Sequence, residues 1–191
     1  MSESQSSLQR YPLLATPHVR LQGNVDDAMY RNFREQLLDA APDGPLVIAL
    51  STLGGDPEVA RLMADELRLL REATGRELLF LGKVAVYSAG ATFMSGFPVD
   101  HRFLTRGTRL MLHERQMHSS VDLSGPLRML PAILKAKLNE IEHSIRIEEE
   151  GFRALVAGSR VDFDELRERA PYNWYIEADE ARDLGLVLDV I

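Results

Sequence analysis

Residues 45–73 read PLVIALSTLGGDPEVARLMADELRLLREA, and their reading decides the fold. The run from Pro45 to Thr52 is continuously apolar and rich in branched side chains, the pattern of a strand buried on both faces of a parallel sheet. Leu53-Gly54-Gly55-Asp56-Pro57 then makes a sharp turn. After it, Val59, Leu62, Met63, Leu67 and Leu70 recur at helical spacing, which predicts a helix over 58–73. Strand, tight turn and helix together form half of a crossover unit. The same alternation continues on both sides. Upstream, HVRLQG (18–23) predicts a short strand, and DDAMYRNFREQLLDA (26–40) a helix opened by Asp and closed by Pro42-Asp43-Gly44. Downstream, ELLFLGKVAV (77–86) predicts a strand and YSAGATFMSGF (87–97) a helix of small residues. HRFLTR (101–106) and TRLMLHE (108–114) predict two further strands. A long helical stretch fills 125–158; its portion ILKAKLNEIEHSIRIEEE (133–150) is charged, lacks a stop signal, and is expected to project toward another subunit. ADEARDLG (178–185) predicts a short helix capped by Gly185, and LVLDVI (186–191) a terminal strand. The fold class is α/β.

A chain of 191 residues, 45% hydrophobic and 27% charged, is most simply one domain with an ordinary core. MSESQSSLQR at the start is polar and lacks the apolar centre of a signal peptide. Residues 1–17 are therefore expected to be a flexible segment ahead of a domain spanning 18–191. The net charge of −7 argues against a nucleic-acid partner, and no apolar run approaches the ~20 residues of a membrane span. Without cysteine there is no disulfide, thiolate nucleophile or Cys-ligated metal, which suits a reducing cytoplasm. The five histidines form no HExxH pair, so neither a metal site nor a cofactor is expected.

Chemistry concentrates at strand ends, where open α/β sheets place their sites. Gly54-Gly55 precedes a helix, where backbone N–H groups can approach a ligand closely. Ser88 precedes Ala89-Gly90-Ala91 at a strand-to-helix junction, and His113 closes the strand RLMLH 25 residues later. Each has a plain reading: a tight turn, a packing serine, a satisfied polar residue. In this order they form the minimal kit for acyl transfer, namely a hydroxyl, an imidazole and paired backbone donors.

From about residue 18 to the end, the sequence resembles the proteolytic subunit of the Clp protease, within the wider ClpP/crotonase fold. VIALSTLGGD stands where that family has a strand ending in Ser-Pro-Gly-Gly; VYSAGATFMSG matches its Ala-Ser-Met-(Gly/Ala)-Ala segment, and RLMLHERQ its Met-Ile-His-Gln-Pro. ILKAKLNEIEHSIRIEEE resembles the family's handle helix, and WYIEADEARDLGLVLDVI its closing segment. The resemblance implies stacked ββα units with a projecting handle. It also implies a serine endopeptidase acting on unfolded polypeptides or peptides inside a homo-oligomeric chamber, of paired heptameric rings in the family, with a Clp-type ATPase as possible partner. It assigns the nucleophile to Ser88, the base to His113, the oxyanion hole to the N–H groups of Gly55 and Ala89, and substrate contacts to Gly54, Gly55 and Glu114. No cofactor is implied.

Counting back twelve residues from Gly185, the position of the family's acid falls on Asn173. Asn can hold the imidazole tautomer through its carbonyl oxygen but brings no charge to support imidazolium. Three outcomes stand open: Asn173 orients His113, Asp162 or Asp164 replaces it, or the subunit is a weak or inactive ring component. A crotonase-type acyl-CoA enzyme, the remaining reading, needs reacting carboxylates; the nearest, Glu58 and Glu114, read better as solvated charges. The turn is Thr-Leu-Gly-Gly, which keeps both glycines and drops the proline. The N-terminal segment is short and lacks the family's usual arm.

Overall fold

The computed structural model describes residues 7–191. In chain order, α1 (Ser7–Arg10) and a 3-10 turn (Pro12–Ala15) lead into β1 (Val19–Gln22), α2 (Asp27–Asp39), β2 (Leu46–Thr52), α3 (Pro57–Thr74) and β3 (Leu78–Tyr87). There follow α4 (Ala89–Met94), β4 (Arg102–Leu104), β5 (Arg109–Leu112), the long α5 (Leu130–Val156), α6 (Phe163–Arg169), β6 (Trp174–Glu177), α7 (Ala178–Asp183) and β7 (Asp189–Val190). Of the segment 1–17 expected to be flexible, residues 1–6 lie outside the described residues. Within the remainder, Leu14 is buried under the sheet.

β1, β2, β3, β4 and β7 pair in that order, all parallel, as crossover helices require. The continuous apolar run of β2 has a period-2 explanation. Leu46, Ile48 and Leu50 point to the helical layer, where Phe33 of α2, Met63 and Leu67 of α3, and Phe93 of α4 meet Phe80. Val47 and Ala49 point to the other face and pack with Leu14, Leu79, Leu81 and Phe103. Both faces are dry, so no polar alternation appears. Asp26 caps α2 and Asp56 caps α3, each side chain accepting two backbone N–H groups of the first turn.

β3 changes partners along its length. Phe80–Gly82 pair with β4, whereas Ala85–Tyr87 pair with β5. Between them Val84 adopts φ 64°, and its N–H donates to Thr108 Oγ1 at 3.0 Å. β5 then carries β6 antiparallel, with Leu112 opposite Trp174. This second, smaller ladder holds the end of β3 where the chain turns into α4.

α5 has 27 residues, about 40 Å at 1.5 Å per residue. Its C-terminal end is anchored by Phe152, Leu155 and Val156 on the core. Its outer part exposes Leu134, Leu138, Ile141 and Ile145, spaced on one helical face. It is the projecting helix expected from the sequence. No helix among the described residues is long and apolar enough to cross a membrane.

The sheet and two helix ends meet at Arg102, which is 2% exposed. Its guanidinium donates to the carbonyls of Phe97 (2.7 Å) and Leu155 (2.8 Å), with longer bonds to Leu186 and Ser95. Burial lowers its pKa to about 10, partly opposed by Asp100, so it stays charged at neutral pH. Arg102→Met removes a buried charge but strands the carbonyls it serves. Because each unsatisfied buried group costs about 1–3 kcal/mol, a net loss of about 3 kcal/mol is expected. A thermal melt should show this as a Tm lower by about 6–12 °C for a domain of this size.

Candidate active site

The Gly54-Gly55 turn is built by its neighbours on both sides. Gly54 N–H donates to Thr52 Oγ1 at 3.0 Å, and the Thr52 hydroxyl donates back to Gly54 O at 3.1 Å. Val25, just after β1, donates its N–H to Gly54 O, and Asp56 N–H donates to Val25 O. Gly55 sits at φ +143°, and a Cβ there would lie 2.3 Å from the Val25 carbonyl oxygen. Only glycine fits both the backbone angle and the approach. Gly54 is at φ +120°, with its missing Cβ 3.0 Å from Ser88 Cβ. The N–H and C=O of Gly54 are thus engaged within the chain, while the Gly55 N–H has no hydrogen-bond partner among the described residues.

Ser88 lies between β3 and α4 at φ 52°, ψ −113°, a conformation that costs a non-glycine residue roughly 1–3 kcal/mol. Two ties maintain it. Ser88 N–H donates to Met111 O of β5 at 2.8 Å, and Ser88 O accepts from Ala91 and Thr92 in α4. Gly90 lets the helix start close to β2, because a Cβ there would meet the Thr52 methyl at 2.5 Å. Ala89 opens α4, so its N–H has no acceptor within the helix. A strained hydroxyl at a strand-to-helix elbow, followed by a free N–H, is the geometry of an exposed nucleophile.

His113 follows β5 directly, and its Nε2 lies 2.6 Å from Ser88 Oγ. In the Nδ1–H tautomer the serine hydroxyl donates to Nε2, the direction a general base requires. Burial pushes the His113 pKa below its ordinary value, partly opposed by the Glu114 carboxylate. The imidazole is therefore held neutral and ready to accept a proton. Its Nδ1 has no hydrogen-bond partner among the described residues.

Asn173 ends the 3-10 turn before β6 with φ 56°, ψ 81°, a left-handed conformation that Asn and Asp adopt more readily than most residues. Carried one residue past Leu112 and Trp174, the β5–β6 register sets Asn173 across from His113. The Asn173 side chain is exposed and makes no hydrogen bond to the ring. Asp162 is occupied in capping α6 through Asp164 N–H, and neither it nor Asp164 is bonded to His113.

Ser88 and His113 border a cavity of about 510 Å³ that is also lined by Gly55, Ala89, Glu114 and, from α5, Glu148. Neither Gly54 nor Asn173 lines it. Glu58, read from sequence as a solvated charge, is an exposed carboxylate that also accepts from Arg115 at 2.6 Å and from Arg61 at 2.9 Å. Burial pushes its carboxyl up, but the two arginines outweigh that and hold it below the usual range. Sequence reading missed Thr52, Arg115 and Glu148. Thr52 sits in a strand of branched residues, and the other two are single charges whose partners lie far along the chain. Among the described residues, no group of three or more His, Asp or Glu is placed to hold a metal ion.

The sequence profile described as Clp protease matches residues 2–191. A curated relative, ATP-dependent Clp protease proteolytic subunit 3 of Rhizobium johnstonii, is 23% identical over 181 residues, covering 94% of this chain and 86% of its own. Among solved structures, a ClpP1 mutant from Listeria monocytogenes in which one asparagine is replaced by aspartate superimposes with a TM-score of 0.69 at 20% identity. That match covers 96% of this chain and 95% of the other, a likeness of fold.

Proposed function

The chain belongs to the Clp protease family, and from that premise we propose that it is a serine endopeptidase with Ser88 as nucleophile and His113 as base. The observation that carries the reading is the 2.6 Å contact between Ser88 Oγ and His113 Nε2 in the lining of the cavity. Ser88 Oγ attacks the peptide carbonyl as His113 takes its proton. The oxyanion then forms between the N–H groups of Gly55 and Ala89, neither of which has another acceptor among the described residues. His113 returns the proton to the leaving amine, and water repeats the cycle on the acyl-enzyme. Asn173 is set opposite His113 by the β5–β6 register and is not bonded to the ring in this structure; a turn of its side chain toward Nδ1 would let its oxygen accept the Nδ1–H and select the tautomer. Extended substrate runs past Gly55 and Glu114 on the cavity rim.

The uncovered apolar face of α5 favours packing of this helix against another copy of the chain, as in a ring assembly. A Clp-type ATPase is the natural partner, since the Rhizobium relative is named as ATP-dependent. Incubation with a fluorophosphonate and a fluorogenic peptide tests the reading. Labelling at Ser88 that parallels peptide cleavage supports it, and an assembled protein that shows neither removes it.

The pH profile follows from the His113 environment. Only the neutral imidazole accepts the serine proton, and burial lowers its pKa. The acid limb of kcat/KM is therefore expected below the ordinary imidazole value of about 6.5, with a plateau by neutrality. A limb at or above that value would place a carboxylate on the ring.

A second reading, a ring subunit with little turnover, is favoured by one observation: no carboxylate is bonded to His113 among the described residues.

A further inference from the structure

Arg115 has no part in the reaction as derived, yet it ties three walls of the cavity together. Its backbone N–H donates to the carboxylate of Glu148 on α5. Its Nη2 donates to Glu58 Oε1 at 2.6 Å, and Glu58 lies in the first turn of α3, immediately beyond the Gly54-Gly55 turn. The side chain is only 25% exposed, and Nη1 is buried without a partner among the described residues.

The base needs such a tie. β5 ends at Leu112, one residue before His113, and residues 113–124 have no regular structure. The ring is bonded only through Nε2 to the hydroxyl it must activate. Among the described residues, nothing holds it from the Nδ1 side in the way a carboxylate would. The next fixed point of the main chain is two residues on, at Arg115.

We infer that Arg115 is a positioning residue, clamped between Glu58 and Glu148, that holds the main chain of His113 at hydrogen-bond reach of Ser88. The inference rests on the serine-peptidase reading for its kinetic consequence but not for its structural one. Without the clamp, the base segment drifts relative to α3, which carries the Gly55 donor, and the proton transfer loses its alignment. Substrate binding, set by the cavity walls, changes little.

A double-mutant cycle with Glu58→Gln and Arg115→Gln, run on the assembled protein, tests this. Each single variant is expected to lower kcat about tenfold with KM within about twofold, and the double variant no further than the worse single. Arg115→Lys, whose ammonium can still reach Glu58, should recover most of the loss. Arg68→Gln, which breaks an ion pair on the outer face of α3, should change nothing. Hydrogen exchange of residues 113–117 should accelerate in both single variants. Unchanged kcat with unchanged exchange, or losses that multiply in the double variant, would overturn the clamp. If the wild-type assembly neither cleaves peptide nor labels at Ser88, the peptidase reading fails and exchange alone decides: faster exchange upholds the clamp, unchanged exchange refutes it. Should Arg115→Gln not fold, Arg115→Lys and Glu58→Gln carry the same comparison.

Discussion

Ser88→Ala is expected to abolish peptide hydrolysis, lowering kcat by about ten-thousandfold toward the residual activity of oxyanion donors and binding, because about a hundredfold of the roughly millionfold loss seen in a complete triad is already missing without the acid. The size follows from the role. Without Oγ there is no acyl-enzyme, and His113 has no proton to accept. Because nucleophile and base act as one unit, His113→Ala should fall to nearly the same floor, and the double variant no lower. The fold should survive, since the tie holding the elbow is the Ser88 backbone to Met111, not the hydroxyl. Alanine keeps the positive φ at a modest cost. The measurement is a burst-titrated peptide assay beside fluorophosphonate labelling. A Ser88→Ala protein that still cleaves at a comparable rate would move the nucleophile elsewhere.

Asn173→Asp is expected to raise kcat by about a hundredfold. Exchanging Asp for Asn in a serine-protease triad costs about ten-thousandfold, which sets the ceiling. The gain here falls short of it because position 173 is exposed, and water screens a carboxylate there. The backbone permits the change, since a left-handed φ of 56° suits Asp nearly as well as Asn. The sign extends to the pH profile: a carboxylate beside the ring raises the His113 pKa, so the acid limb moves up as the plateau rises. Higher activity with an unmoved limb would mean that the new carboxylate acts without touching the imidazole. A protein as inactive as before would favour the ring-subunit reading.

The parts of this structure that could be read in advance are those set by local period. β2, the Gly54-Gly55 turn and α3 follow from a two-sided apolar run, two glycines and an Asp cap. α5 follows from its length without a breaker. Ser88 and His113 stood out by their order at strand ends, and the 2.6 Å contact brings them together. What escaped depends on partners distant in sequence. The bend of β3 places a β-branched Val84 at positive φ, against local preference, because Thr108 and two different strands over-determine it. β6 is four residues long, and only its pairing with β5 makes it a strand. The expected strand over 186–191 shortens to Asp189–Val190, since Leu186 and Val187 are consumed in the core beside Arg102. Arg102 and Arg115 look like surface charges until the carbonyls and carboxylates around them are in place.

The antiparallel match of Leu112 with Trp174 has a topological consequence. Everything between these two residues, α5 included, is one excursion of about 60 residues that leaves the sheet at His113 and re-enters at Asn173. His113 and Asn173 are therefore the two lips of a single loop. Closing a free loop of that length costs on the order of 4 kcal/mol in chain entropy, which the packing of Phe152, Leu155 and Val156 on the core helps to offset. Ordering of the outer part of α5 by a neighbouring helix is therefore expected to be felt where His113 and Asn173 face each other, across a lever about 40 Å long.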